Sequence, residues 1–155
     1  MSTIEKSIEV GVPASVAYAQ WTQFETFPRF MHGVESVEQI DDTHLRWRAN
    51  VAGTVEEWDA EIDEQIPDAR IAWHSTSGAP NAGVVTFHRL TDESARVMLQ
   101  LKYEPQTWAE SLGDMLGVLS HRIEGDLRRF KDFIEARQEP TGSWRGEVQA
   151  PADRR

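Results

Sequence analysis

The chain has 155 residues, of which 39% are hydrophobic and 27% charged, a balance typical of one globular domain. It contains no cysteine, which excludes disulfides, thiolate metal ligands and a cysteine nucleophile. The formal net charge of -10 makes nucleic acid and anionic membranes unfavourable partners. The chain also lacks a signal-peptide pattern and any run of ~18 apolar residues, so we expect a cytoplasmic protein that is not an integral membrane protein.

The beginning of the chain predicts one strand followed by two short helices. Alternating apolar residues predict a strand over 3–10. Pro13 suits the first turn of a helix over 14–21, because the N–H that proline lacks has no intrahelical partner there. A second short helix is expected over 24–31, and Gly33 ends this helical stretch.

Six further strands are predicted in the middle of the chain. They cover 34–40, 44–51, 54–66, 70–77, 84–90 and 94–104, with a loop over 78–83. Short turns between consecutive strands predict an antiparallel meander. In the second of these strands, Leu45 and Trp47 share one face while Arg46 and Arg48 take the other. One apolar and one charged face indicate a sheet that is covered on a single side.

The longest predicted helix covers 107–137. Its apolar residues recur every three or four positions, the spacing of a helix with one buried face: Trp108, Leu112, Met115, Leu116, Leu119, Ile123, Leu127, Phe130 and Ile134. This stripe must be buried, and the inner face of the sheet is the apolar surface available to it. We therefore predict an α+β domain over 1–138 and a flexible tail over 139–155.

Six segments resemble the START-like, or SRPBCC, superfamily. They are IEVGVPASVAYAQW, FETFPRFMHGVESV, LRWRANVAGTVEEWDAEI, RIAWHSTSG, NAGVVTFHRL and GDLRRFKDFIEAR, and they are most similar to the bacterial polyketide cyclase/dehydrase group, which grades into the coenzyme Q-binding group. The resemblance covers about residues 3–137. It implies the helix-grip fold, in which a curved antiparallel sheet of about seven strands wraps around a long C-terminal helix and encloses a cavity. Members include lipid carriers, quinone binders and aromatase/cyclases, so the resemblance implies a fold without naming one activity.

The predicted ligand site lies between the sheet and the helix over 107–137. A curved sheet and one straight helix leave a gap that large side chains can wall. The candidate ligand contacts are the inward-facing residues of both: Trp47, Trp58, Trp73, Phe87, Leu99, Leu101, Trp108, Leu112, Met115, Leu116, Leu119 and Ile123. For any single tryptophan, filling of the core is the preferred interpretation. No cofactor is expected.

Three polar residues are candidates for acid–base chemistry in that cavity. Tyr103 shares a strand face with apolar residues, although a core tyrosine bonded to the backbone gives the same pattern. Glu56 has the inward parity of its strand, with a position in solvent as the alternative. His32 follows the short helices, where a pocket mouth is expected, or is a plain helix-end histidine.

Two histidines are candidates for a metal pair. His74 and His88 flank a loop centred near residue 81, and two imidazoles can begin a zinc site. Their parity places them on the outer face and no third ligand has natural spacing, so no metal site is assigned. The chain also lacks G-x-S-x-G, a Walker loop and H-E-x-x-H, which removes the usual support for hydrolase, nucleotide-binding and zinc-protease functions.

Three functions remain open at this point. The leading hypothesis is a non-catalytic protein that binds an apolar small molecule of lipid, quinone or polyketide type. The second is a polyketide aromatase/cyclase or dehydratase that works in the same cavity. The third is an interaction module whose groove receives a partner segment, with Trp144 of the tail docking on the domain. The sequence leaves open whether the chain forms a homodimer.

Overall fold

A computed structural model describes residues 2–51, 53–104 and 115–149. The strands are β1 (Ser2–Val10), β2 (Val34–Gln39), β3 (His44–Val51), β4 (Thr54–Ile66), β5 (Arg70–Gly78), β6 (Asn81–Thr91) and β7 (Ser94–Tyr103). The helices are α1 (Ala14–Trp21), a short 3-10 helix (Phe24–Arg29) and α2 (Met115–Arg137). The predicted helix over 107–137 is therefore described from Met115 onward, and its first eight positions lie outside the described residues.

The seven strands form one sheet in the order β1-β7-β6-β5-β4-β3-β2. β2 to β7 form an antiparallel meander. β1 lies at the edge of the sheet and pairs with β7, with Ser2 opposite Tyr103 and Val10 opposite Ala95. β4 has register shifts between Asp59 and Ala60 and again after Ile62. Such bulges bend a strand and increase its twist. The α+β helix-grip class predicted from the sequence is confirmed.

Two boundaries differ from the sequence expectation. The loop expected over 78–83 is only the connection Ala79 and Pro80, because β6 begins at Asn81. Gly78 makes this short turn with a φ of +82°, a conformation that favours glycine. The second short helix is a 3-10 helix that ends at Arg29, before residue 31. It contains Pro28, whose ring removes a backbone donor that a longer helix needs.

α2 lies over the inner face of the sheet and is fixed at β1. The residues of its stripe that the structure describes are all buried: Leu119, Ile123, Leu127, Phe130 and Ile134. Lys131 Nζ donates to the backbone oxygen of Glu9 at 3.0 Å. Glu135 Oε2 accepts from the N–H of Gly11 at 2.7 Å. The helix therefore buries its apolar side and holds the end of β1 with its polar side.

An aromatic cluster fills one end of the space between α2 and the sheet. The ring of Trp21 in α1 lies 5.5 Å from Phe130 and 5.2 Å from Phe27, both in edge-to-face geometry. Phe30 lies 5.2 Å from Phe130. Rings at these distances and angles attract one another beyond their area of burial. These ring contacts hold α2 against the short helices at this end of the interior.

Residues 139–149, the first part of the segment for which a flexible tail was predicted, contact the domain at several positions. Val148 is buried, and it exchanges two backbone hydrogen bonds with Gln65 of β4, with N···O distances of 2.8 and 2.9 Å. The N–H of Trp144 donates to Thr22 Oγ1 at 3.1 Å, and its side chain packs on the core. The docking of Trp144 agrees with the third hypothesis drawn from the sequence, whereas the pairing of Val148 with Gln65 was not expected from the polar composition of the segment. Residues 150–155 lie outside the described part.

Removal of the two apolar anchors of this segment is expected to weaken the whole domain. The double substitution Trp144→Ala with Val148→Ala should lower the free energy of unfolding by about 2–4 kcal/mol, because buried apolar surface is lost at both positions. Urea denaturation measures this change in the free energy of unfolding. Ser143→Ala, an exposed change in the same segment, should stay within about 0.5 kcal/mol. A double variant as stable as the parent would show that the segment contributes nothing to folding.

Candidate ligand-binding site

A cavity of about 150 Å³ lies between α2, the inner face of the sheet and the short helices. Its lining residues are Trp21, Phe24, Phe27, Met31, His32, Gly33, Val34, Leu45, Trp47, Ala49, Val51, Trp58, Ile62, Ile71, Trp73, Asn81, Val85, Leu99, Leu101, Leu119, Arg122, Ile123, Asp126 and Leu127. An apolar void of about 150 Å³ accepts one benzene-sized ring. A larger ligand requires some of these side chains to move.

Tryptophans form one wall of the cavity. Trp47 and Trp58 are direct cross-strand partners, and their rings stack with centroids 5.6 Å apart and an interplanar angle of 11°. Trp73 lies across its own cross-strand partner Gly83, where a β-carbon would collide with the ring. Its Nε1 donates to Asn81 Oδ1 at 3.4 Å. The sheet therefore presents flat aromatic surfaces to anything bound in the cavity.

Most of the candidate ligand contacts named from the sequence reach this cavity: Trp47, Trp58, Trp73, Leu99, Leu101, Leu119 and Ile123. Phe87 is buried outside its wall, where its ring meets Tyr18 edge-on at 5.4 Å and Trp21 at 6.4 Å. The candidates Trp108 and Leu112, and the side chains of Met115 and Leu116, lie outside the described residues. A role in binding stays a prediction for all of them.

The structure separates the three candidate acid–base residues. His32 lines the cavity and is itself exposed, so the cavity reaches the surface beside it. Tyr103 is 1% exposed at the far end of β7, opposite Ser2, and does not belong to the lining. Glu56 is half-buried near the β3–β4 turn, also outside the lining, and burial raises the pKa of its carboxyl. Of the three candidates, His32 therefore lies at the cavity, whereas Tyr103 and Glu56 lie outside its lining.

Two charged residues of α2 that sequence reasoning missed complete the polar end of the cavity. Arg122 Nη1 donates to the backbone oxygens of His32 at 3.1 Å and Asn50 at 3.0 Å. Asp126 Oδ1 accepts from the N–H of His32 at 3.0 Å and from the guanidinium of Arg129. We call His32, Arg122 and Asp126 the cavity mouth, because all three line the cavity. One signal was present in the sequence: the two charges are one helical turn apart and border the apolar stripe.

Gly33 allows the mouth to form. Its φ of +94° favours glycine, and a β-carbon there would collide with the Arg122 guanidinium and the Asn50 carbonyl. The turn that leads into β2 and the close approach of the arginine therefore depend on the same residue.

Burial is the largest influence on Asp126 and raises the pKa of its carboxyl above the ordinary value for aspartate. The hydrogen bond and charge of Arg129, the N–H of His32 and the charge of Arg122 act in the opposite direction and lower that pKa only in part. A buried carboxyl that keeps its proton to higher pH is able to donate a hydrogen bond as well as accept one. The mouth can therefore present a cationic donor and a weakly acidic group to a ligand.

The raised pKa of Asp126 has a measurable consequence for stability. The Asp126 carboxyl takes up its proton at higher pH in the folded state than in the unfolded chain. The free energy of unfolding therefore increases as pH falls from the folded-state pKa toward the ordinary aspartate pKa. Carbon-13 NMR of the carboxyl should show titration above the ordinary aspartate value. The pH dependence of unfolding in this window should diminish in Asp126→Asn and persist in Asp132→Asn, an exposed site on the same helix. Titration at or below the ordinary value would contradict the assignment.

The antiparallel sheet around α2 is the START-like, helix-grip fold expected from the sequence. A family model described as polyketide cyclase / dehydrase and lipid transport matches residues 10–132, so the chain belongs to this family. An uncharacterized 17.2 kDa protein in the melC2-rnhH intergenic region of Streptomyces lincolnensis is 56% identical over 149 residues, covering 96% of this chain and 99% of that protein. The resemblance inferred from the six sequence segments is confirmed.

Solved structures share the fold along nearly the whole chain. A protein of Deinococcus radiodurans is 28% identical with a TM-score of 0.70, covering 88% of this chain and 98% of that one. The Zhui aromatase/cyclase from Streptomyces sp. R1128 is 16% identical with a TM-score of 0.75, covering 92% and 99%. A START superfamily protein from Mycobacterium smegmatis is 13% identical with a TM-score of 0.65, covering 82% and 97%. At such low identity the last two show the fold alone. None of the helices in the described ranges has the length and apolar character needed to span a membrane.

Proposed function

We propose that this protein binds an amphiphilic small molecule, with an aromatic or alicyclic body inside the cavity and a polar end at the cavity mouth. The observation that carries the proposal is the separation of the cavity into two parts. Stacked tryptophans and aliphatic side chains form most of the wall, whereas Arg122 and Asp126 stand together at the end beside exposed His32. Ligand sites commonly combine an apolar lining with a few placed polar groups.

Burial of an apolar ring supplies the affinity in this proposal. Each Å² of apolar surface removed from water contributes about 25 cal/mol before the costs of association. The stacked pair Trp47 and Trp58 offers a ring face, against which another ring packs favourably.

The cavity mouth supplies the specificity. A guanidinium has five N–H donors, and the hydrogen bonds described for Arg122 use Nη1 alone. Its positive charge favours a carboxylate, a phenolate or a carbonyl oxygen at the polar end of the ligand. Asp126, whose pKa is raised by burial, tolerates such a group better than a fully ionised carboxylate would.

Arg122→Gln is expected to weaken benzoate about tenfold or more, since hydrogen bonds to charged groups contribute about 1.5–3 kcal/mol. Ethylbenzene, which has no polar end, should bind within about threefold of the parent protein. Isothermal titration measures both ligands, and native mass spectrometry of the purified protein looks for a retained ligand. Arg128→Gln is the matched control, because Arg128 lies on the same helix in an exposed pair with Glu124. An equal loss of affinity for both ligands, or no loss of affinity for benzoate, would contradict the assigned role of Arg122. Failure of the parent protein to bind either ligand would contradict the proposed function.

A second candidate function is polyketide cyclisation or dehydration in the same cavity. The observation that favours it is Asp126, a carboxyl that lines the cavity and whose pKa is raised by burial, as a general acid requires. Family membership supports this reading too. Loss of turnover in Asp126→Asn with ligand affinity retained would support catalysis, whereas unchanged turnover would remove the role of this carboxyl.

A further inference from the structure

The outer face of the sheet carries a group of histidines and carboxylates that the ligand cavity does not use. We call His44, Glu61, Asp63 and His74 the outer-face cluster. His44 of β3 and His74 of β5 are both direct cross-strand partners of Glu61 in β4. Asp63 lies two positions further along β4. The cluster thus joins three neighbouring strands on the side of the sheet that faces away from α2.

The metal pair considered from the sequence does not form. His74 lies opposite Ala82 and His88 lies opposite Arg96, so the two histidines are not neighbours. In the register of β5 with β6, Thr86 lies opposite Arg70, so His88 lies beyond the end of this pairing. The partners of His74 are instead on β4, eleven and thirteen positions earlier in the chain.

The two imidazoles of the cluster are held in the same way. His74 Nδ1 donates to Asp63 Oδ1 at 2.7 Å, and His44 Nδ1 donates to Asp41 Oδ1 at 2.9 Å. A carboxylate on Nδ1 fixes the ring and leaves Nε2 as the atom able to bind a metal, as in many metal sites of proteins. Both Nε2 atoms approach the same Glu61 carboxylate, at 3.9 Å for His74 and 3.5 Å for His44.

The separation of His74 Nε2 from the Glu61 carboxylate suits two ligands of one ion. Two atoms bound to a metal at about 2.0–2.2 Å lie about 3–4 Å apart when the angle between them is that of a tetrahedral or octahedral site. One ligand atom each from Glu61, Asp63 and His74 lies within 4.8 Å of the others. The side chains are partly exposed, from 27% for Asp63 to 46% for His44, so an ion can enter and the rings can adjust.

We propose that the outer-face cluster binds a divalent transition metal ion between His74 Nε2 and the Glu61 carboxylate, with Asp63 orienting the His74 ring through Nδ1. Imidazole combined with carboxylate selects ions such as Zn²⁺, Ni²⁺ or Co²⁺ over Mg²⁺ and Ca²⁺, which prefer oxygen ligands alone. The net charge of -10 favours the approach of cations to the protein as a whole. The next residues on these strands, Leu45, Ile62 and Trp73, line the cavity, so a bound ion would brace the cavity wall from outside.

Titration of the tag-free, EDTA-treated full chain with Zn²⁺ at about pH 8, where unperturbed imidazole is neutral, tests the proposal by calorimetry. We expect one ion per chain, a rise in the melting temperature, and Co²⁺ absorption bands of a nitrogen–oxygen site. His74→Gln and Glu61→Gln should weaken Zn²⁺ by about 100-fold, and Asp63→Asn by about tenfold or more, as partners behind a metal ligand do. Each variant is first shown to unfold like the parent in the absence of metal.

His88→Gln is the matched control, because His88 is an exposed histidine of β6 whose recorded partner is the Thr86 hydroxyl. It should leave Zn²⁺ affinity unchanged. Parental affinity in His74→Gln or Glu61→Gln, no binding of Zn²⁺ to the parent, or equal affinity for Mg²⁺ and Zn²⁺ would each overturn the proposal. The measurement involves no apolar ligand, so its outcome is independent of the function proposed for the cavity.

Discussion

Replacement of Ala49 by phenylalanine is expected to abolish the binding of apolar ligands while the protein remains folded. Ala49 is buried on the inner face of β3 and lines the cavity. A phenyl ring placed there occupies the space of about one benzene-sized ligand, which is the size of the void. We expect ethylbenzene to bind about 100-fold more weakly or not at all. The melting temperature should change by a few degrees only, since filling a void restores contacts that the empty space lacks.

Ala72→Phe provides the matched control, because it adds the same ring next to Trp73 on the opposite face of β5. It should leave the affinity for ethylbenzene unchanged. Isothermal titration and thermal unfolding of both variants make the comparison. A folded Ala49→Phe protein that binds ethylbenzene as the parent does would place the binding site elsewhere.

Phe130→Ala is expected to remove a large part of the stability of the domain. Its side chain is 0% exposed and meets Trp21 and Phe30 in the cluster that fixes α2 to the short helices. Loss of a buried phenylalanine costs about 3–5 kcal/mol, against a total stability of about 5–15 kcal/mol for most domains. Phe133→Ala, where the ring is only partly buried, should cost clearly less in the same urea denaturation series. Equal, small effects at both positions would show that α2 is not anchored by this cluster.

The fold follows from patterns that one sequence contains. Alternation placed Trp47 and Trp58 on the same face of consecutive strands, and the turn at Gly53, with a φ of +89°, makes them direct partners. The helical stripe of α2 had to cover that face, because no other apolar surface of its size was available. Such regularities are local, and they determine which side of each element is buried.

Those regularities do not give the place of a residue along its strand or helix relative to the cavity. They also do not give the contacts between elements that are far apart in the chain. Parity put Tyr103 on the correct face of β7, yet the residue lies at the end of the strand and outside the cavity lining. Arg122 meets carbonyl groups 90 and 72 residues earlier in the chain. These contacts depend on how far α2 lies along the sheet and on its rotation about its axis. The approach of His74 to Glu61 depends on the register of β5 against β4, which alternation does not give. Docking of Trp144 on the domain was expected from the sequence, but its place on the domain was not.

Crystals soaked with iodobenzene can show where an apolar ring binds, because iodine is located by its anomalous scattering. We expect an iodine peak inside the cavity, within about 4 Å of the ring of Trp47 or Trp58 on one side and of Leu119 or Ile123 on the other. The same soak of Ala49→Phe crystals should leave that position empty. Iodine only at surface positions of the parent protein, with the space between α2 and the sheet unoccupied, would show that this space does not bind apolar rings.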